Sequence, residues 1–97
     1  MDGNAQISTD ILARYAGDAA TEVDGVRGLV DGTLPRHRGV RIGDDDGAVT
    51  VELHLAVDWG ASIPEVGRAV QRRVADYLET MADARPVRVD VVVDEIG

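Results

Sequence analysis

Residues 49 to 57 read V-T-V-E-L-H-L-A-V, a run in which large apolar residues take every second place. A β-strand sends successive side chains to opposite faces, so Val49, Val51, Leu53, Leu55 and Val57 share one side. Thr50, Glu52, His54, Ala56 and Asp58 fall on the other, the pattern of a sheet with one buried and one wetter face. Such a strand needs a cover for its apolar side, and the chain offers two. Ile11, Leu12, Tyr15, Ala16, Ala19 and Val23 recur at three- and four-residue spacing, behind Ser8 or Thr9 as a cap. With Asp10 favourable in the first turn, the spacing predicts a helix over about 9–23, ended by Asp24-Gly25. Ile63, Val66, Val70, Val74, Tyr77, Leu78 and Met81 form a second stripe, predicting a helix over about 63–82 that Pro86 bars from continuing.

The remaining segments fit around these three. Val40 and Ile42, then G-D-D-D-G, lead into the alternating run and predict a β-hairpin. Val26 to Val30, punctuated by Gly28, reads as a short irregular strand or an extended connection, and 32–38 as a loop containing Pro35. P-V-R-V-D-V-V-V-D, from Pro86, alternates again as a last strand. The helix before it is long enough for a right-handed crossover between parallel neighbours. The expected fold is an α+β two-layer sandwich in a single domain, 1–97, with a core over about 7–96. Two amphipathic helices pack on one face of a three- to four-stranded mixed sheet, in the order α-β-β-α-β with an extra short strand near 26–30.

Thirteen Asp and five Glu stand against ten Arg and no Lys, a net charge of −8. That balance opposes broad binding to nucleic acid or anionic membranes, which needs positive surface potential. The absence of cysteine excludes disulfides, thiolate metal sites and a cysteine nucleophile, and fits a reducing cytoplasm. No apolar run approaches the ~20 residues of a membrane span, so no direct insertion is expected. The N-terminus lacks the basic and apolar regions of a signal peptide.

Residues 58 to 65, D-W-G-A-S-I-P-E, look at first like an active-site corner. A serine nucleophile needs a base within reach, and neither His37 nor His54 is placed by the pattern to meet Ser62. Ser62 and Glu65 instead have the spacing of a capping box, with Pro64 tolerated in the first turn. Trp59, where the strand leaves the sheet, is read as a lid over the end of the core, with a partner-binding anchor as the alternative. Asp44-Asp45-Asp46-Gly47 lacks the alternate spacing of a calcium loop and reads as a solvated turn. Gly25-Val26-Arg27-Gly28 matches the G-x-x-G loop of some RNA-binding domains, where it joins two helices. Arg36, Arg38 and Arg41 form a small basic cluster, read as a solvated loop or a contact for an acidic partner. No catalytic set, metal site or cofactor site emerges.

The segments A-G-D-A-A-T-E-V-D-G-V, 16 to 26, and W-G-A-S-I-P-E-V, 59 to 66, carry a resemblance over nearly the whole chain. The sequence resembles the alkaline shock protein family of Gram-positive bacteria, also described as envelope stress response or general stress proteins. The resemblance implies a small, non-enzymatic cytoplasmic protein tied to alkaline or envelope stress, without a cofactor. Some members gather near the membrane through a membrane-anchored relative, and some self-assemble. The motif positions Gly25, Trp59, Gly60, Ile63, Pro64 and Glu65 match the family, and their roles, like that of Ser62 as a cap, read as structural.

Two functions follow as expectations. The first is an interaction or scaffold module that binds itself or a membrane-linked relative, through Trp59, His54, Ala56 and Val92, with Arg36, Arg38 and Arg41 as further contacts. The alternative is a small nucleic-acid-binding module that uses the G-x-x-G turn and the arginine cluster, a reading that the net charge opposes.

Overall fold

The computed structural model describes residues 8–31 and 39–97 of the 97-residue chain. Helix α1 spans Thr9–Thr21, and the Ser8 hydroxyl caps it by accepting from the Ile11 N–H at 3.2 Å. Strands β1 (Val26–Leu29), β2 (Val40–Asp45) and β3 (Ala48–Val57) follow. Helix α2 (Ile63–Ala82) then leads to β4 (Arg88–Ile96). The order is α-β-β-β-α-β, so the short segment after α1 does form a strand.

β3 is the axis of the sheet. β2 pairs antiparallel with its first half, from Asp45 opposite Ala48 to Val40 opposite Leu53. β1 pairs antiparallel with its last three residues, from Leu29 opposite Leu55 to Val26 opposite Val57. The two meet at His54, whose N–H donates to the Gly39 carbonyl while its carbonyl accepts from the Val30 N–H, both at 2.8 Å. β1 and β2 thus share one edge of β3 end to end. β4 runs parallel on the other edge, from Arg88 opposite Thr50 to Ile96 opposite Val57. The sheet is mixed, as the alternation and the intervening helix suggested.

Both helices lie on the apolar face. Burial along β3 alternates without a break, with Val49, Val51, Leu53, Leu55 and Val57 inward. They meet Leu12, Ala16, Ala19 and Ala20 of α1 and Val66, Val70, Val74 and Leu78 of α2. The alanines keep α1 close to its neighbours, and Tyr15 meets Tyr77 edge to face across the helix pair, with centroids 5.9 Å apart. Ile11, Ile63 and Met81, counted in the stripes, are exposed. They sit in the end turns of the two helices.

The element ends follow local chemistry, with two departures from the expected signals. α1 stops two residues earlier than its stripe, with Glu22 as its C-cap. α2 ends at Asp83, which takes the left-handed conformation (φ 52°) that glycine usually supplies, and Ala84 closes the turn by donating to the Leu78 carbonyl at 3.2 Å. Pro86 lies beyond a helix that has already ended. At the start of α2 the Ser62 hydroxyl accepts from the Glu65 N–H at 3.4 Å, with Pro64 in the first turn. This is the serine half of the capping box; the Glu65 carboxylate does not complete it. Between β2 and β3, Asp46 (φ 54°) and Gly47 (φ 86°) form a two-residue turn of the kind that matches strand twist. The Asp44 carboxylate accepts from the Gly47 N–H at 3.0 Å, which accounts for one of the three consecutive acids.

Leu53 is fully buried at the centre of β3. Leu53→Ala is expected to cost about 2–5 kcal/mol of unfolding free energy, and Ser62→Ala about 1 kcal/mol through the lost cap. Urea titration of both variants beside the parent checks the contrast.

Candidate interaction site

The same alternation that buries one face of β3 leaves Thr50, Glu52, His54 and Ala56 on the other, half-exposed. Register fills in their neighbours. Arg41 and Asp90 flank Glu52, Gly43 and Arg88 flank Thr50, and Gly28 and Glu95 flank Ala56. Val92 stands beside His54, 37% exposed. Among the described residues no helix covers this face. His54, Ala56 and Val92 are therefore brought together on it, as the alternation implied, and Arg41 joins them from β2.

His54 sits between two carboxylates. Its Nε2 lies 2.7 Å from Glu52 Oε2 and its Nδ1 2.7 Å from Asp94 Oδ2. Both ring nitrogens donate at once only in the imidazolium, so the arrangement favours the charged form. The hydrogen bond to Glu52 is the largest cause that raises the pKa above its ordinary 6.5, the bond to Asp94 the next, and partial burial opposes them. Glu52 could be placed beside His54 from the alternation alone. Asp94 could not, because its nearness depends on the β3–β4 register, which sets Val92 opposite His54 and Asp94 two places further along the same face.

Trp59 occupies the corner where β3 ends. The corner is tied down by backbone bonds from Asp58 N–H to the Gly25 carbonyl at 2.8 Å and from Trp59 N–H to the Gly97 carbonyl at 3.1 Å. Gly60 carries the turn at φ 89°, a conformation that disfavours other residues. The indole is 82% exposed, which overturns the lid reading. Small residues meet beside this corner. A side-chain carbon at Gly25 (φ 95°) would come within 2.8 Å of Val66 Cγ2 and 3.4 Å of Ala61 Cβ.

Beside the corner, between the end of α1 and the start of α2, lies a groove of about 690 Å³. Val23, Gly25, Ala61, Val66 and Ala69 supply its apolar lining. The ion pair of Arg73 with Glu22, at 2.8 Å, stands on its rim with Arg72. Nothing in the local sequence pattern announces this groove, because it is formed by two segments about 40 residues apart that meet only through packing.

The remaining expectations divide. Arg36 and Arg38 lie outside the described residues, as does the loop over 32–38. Arg41 is exposed on the open sheet face opposite Glu52. The G-x-x-G segment does not join two helices: Gly25 ends the turn after α1, and Gly28 lies in β1 opposite Ala56. The nucleotide-clamping geometry it suggested is therefore not formed.

The pKa of His54 gives a pH dependence with a definite sign. A group whose folded pKa is raised stabilises the fold fully below its unfolded value and loses that contribution as pH rises through the folded value. The parent is expected to lose stability relative to His54→Gln as pH climbs from about 6 to 9. Chemical denaturation across that range checks the difference, and an NMR titration of the imidazole should place its midpoint above 6.5.

A model of the alkaline shock protein 23 family, described as having cell envelope-related function, matches residues 1–97. The chain is 32% identical over 89 residues to YqhY of Bacillus subtilis, a match covering 81% of this chain and 66% of YqhY. It is 27% identical over 107 residues to an uncharacterized protein of Streptococcus pyogenes, covering 98% and 88% of the two chains. Among solved structures, a variant of the MamM CTD superposes with a TM-score of 0.71 at 19% identity, covering 93% of this chain and 99% of that one. A cadmium form of the same domain gives 0.69 at 20% identity over 91% and 98%. These structures share the fold with this chain, whereas the family match spans every residue. The chain belongs to the alkaline shock protein 23 family, whose function is cell envelope-related.

Proposed function

We propose that this chain is a non-enzymatic interaction module of the cell envelope, cytoplasmic and brought near the membrane by a partner. The partner is a related family member, itself linked to the membrane, or another copy of this chain. The observation that carries the reading is the uncovered outer face of the sheet. A two-layer sandwich that spends both helices on one side leaves four strands facing outward, with His54, Ala56 and Val92 at their centre. Ala56 and Val92 give the face a small apolar patch, set among His54, Arg41, Glu52, Arg88, Asp90, Asp94 and Glu95, and such a mixed surface suits a polar protein contact. Membership of a family with envelope-related function supports the setting. No helix of the described residues is long and apolar enough to cross a membrane, so on this reading contact with the membrane passes through the partner.

Val92→Arg puts a long charged side chain at the centre of the face without entering the core. It is expected to leave the melting temperature within a few degrees and to weaken capture of a membrane-linked family relative at least about ten-fold, or 1.4 kcal/mol. Pull-down with purified relatives, quantified against the parent, checks it. Unchanged capture by a folded Val92→Arg protein would contradict the proposed face.

A further inference from the structure

The outer sheet face carries an ionised cluster beside its small apolar patch. His54, its side chain 29% exposed, meets Glu52 through Nε2 and Asp94 through Nδ1, both at 2.7 Å, and each carboxylate is 38% exposed. The ring thereby clasps β3 to β4, and Val92 stands opposite it in the same patch. Among the described residues neither carboxylate pairs with an arginine. Arg88 lies 3.1 Å from Asp90, and Arg41 stands opposite Glu52 without an ion pair. Glu95, opposite Ala56, adds a further negative charge from β4, while Val30 and Gly39, on the other side of His54, bring backbone alone. An imidazolium donates to both carboxylates at once, whereas a neutral imidazole has one N–H and leaves one carboxylate facing a lone pair. Loss of the proton therefore opens one side of the clasp and takes the cluster from one excess negative charge to two. A partner seated over Val92 also covers this cluster. In the protonated form both carboxylates keep a hydrogen-bond donor beneath the cover. In the neutral form one is stripped of water with nothing in its place, and an unpaired charge resists burial strongly.

We propose that the His54–Glu52–Asp94 cluster makes contact at the outer sheet face proton-dependent: a partner docks over Val92 while His54 is charged and is released when the ring loses its proton. The switch presupposes that the outer face is the partner surface, as proposed above, and adds what controls it. Linkage fixes the sign. The bonds to Glu52 and then Asp94 already raise the pKa of His54 in the free chain, and covering the cluster raises it further. Affinity is therefore full below the pKa of the free chain. It falls by at most about ten-fold per pH unit until the pKa of the complex is passed.

The dissociation constant for the membrane-linked relative is measured from about pH 6 to 9, with carbon-13 NMR of the Glu52 and Asp94 carboxyl groups recorded on the chain alone. The parent Kd should rise about ten-fold or more across the range, and both carboxyl signals should move with the imidazole titration. Glu52→Gln combined with Asp94→Asn keeps the shape of the cluster but strands no charge, and its Kd should vary less than about two-fold. A parent Kd that ignores pH or falls as pH rises overturns the switch, as does a rise shared by the double variant, which would belong to the partner. Carboxyl signals that ignore the imidazole titration overturn it as well, because the clasp would then not form. In each of these cases the outer face still stands as the partner surface if Val92→Arg weakens capture. Capture that is absent at every pH, or untouched by Val92→Arg, overturns that surface and the switch with it.

Discussion

β3 hydrogen-bonds to every other strand and carries five core side chains on one face, and the position of each other element follows from that. The face has to be shielded from water, because five aliphatic side chains left exposed would each forfeit about 1.5–3 kcal/mol of burial. The two helices do this from the same side. β4 can then reach β3 only by the crossover through α2, which makes that pair parallel while the hairpin pair is antiparallel. The mixed sheet is a consequence of one strand's alternation and the length of one helix.

Covering one face leaves the other to be made tolerable in water. Polar residues do part of this, and they are tied together at His54. Its backbone joins β1 and β2, while its ring bonds Glu52 on β3 and Asp94 on β4. One residue therefore connects all four strands. The outer edge of β4 is protected in another way. Arg88, Asp90, Asp94 and Glu95 line the strand, and its register is irregular near Asp94; charge and irregular pairing both discourage a further strand from adding there. What remains available for contact is the face itself and the corner at Trp59.

Much of this was legible in the sequence where one periodicity governs a long segment. The alternation over 49–57 located the core face, and the 3.6-residue stripes located both helices. Ser62 was readable as a cap because a serine, a proline and a glutamate stood at the spacing a helix start requires. Of the two readings of Trp59, the lid suggested by its place at the strand end is the one its exposure removes. Whether the indole folds back over the core is decided by how the corner packs against neighbouring segments, which no one segment's pattern records. Asp94 was not found beside His54 for a similar reason: which residues of β4 stand next to His54 is decided by the whole β3–β4 pairing. The shared edge of β1 and β2 depends likewise on two short segments finding the same strand. Periodic features within one element were visible, whereas features made by contact between elements were not. The candidate site is mostly of the second kind.

The claim on which the account rests is that β3 divides a covered face from a free one. Solvent paramagnetic relaxation enhancement on dilute protein tests this side chain by side chain, using a soluble gadolinium probe. The account predicts a two-residue period along 49–57. Protons of Val49, Val51, Leu53, Leu55 and Val57 should be nearly unaffected, and those of Thr50, Glu52, His54 and Ala56 strongly broadened. Equal protection of both sets at low concentration would contradict it, because the outer face would then already be covered.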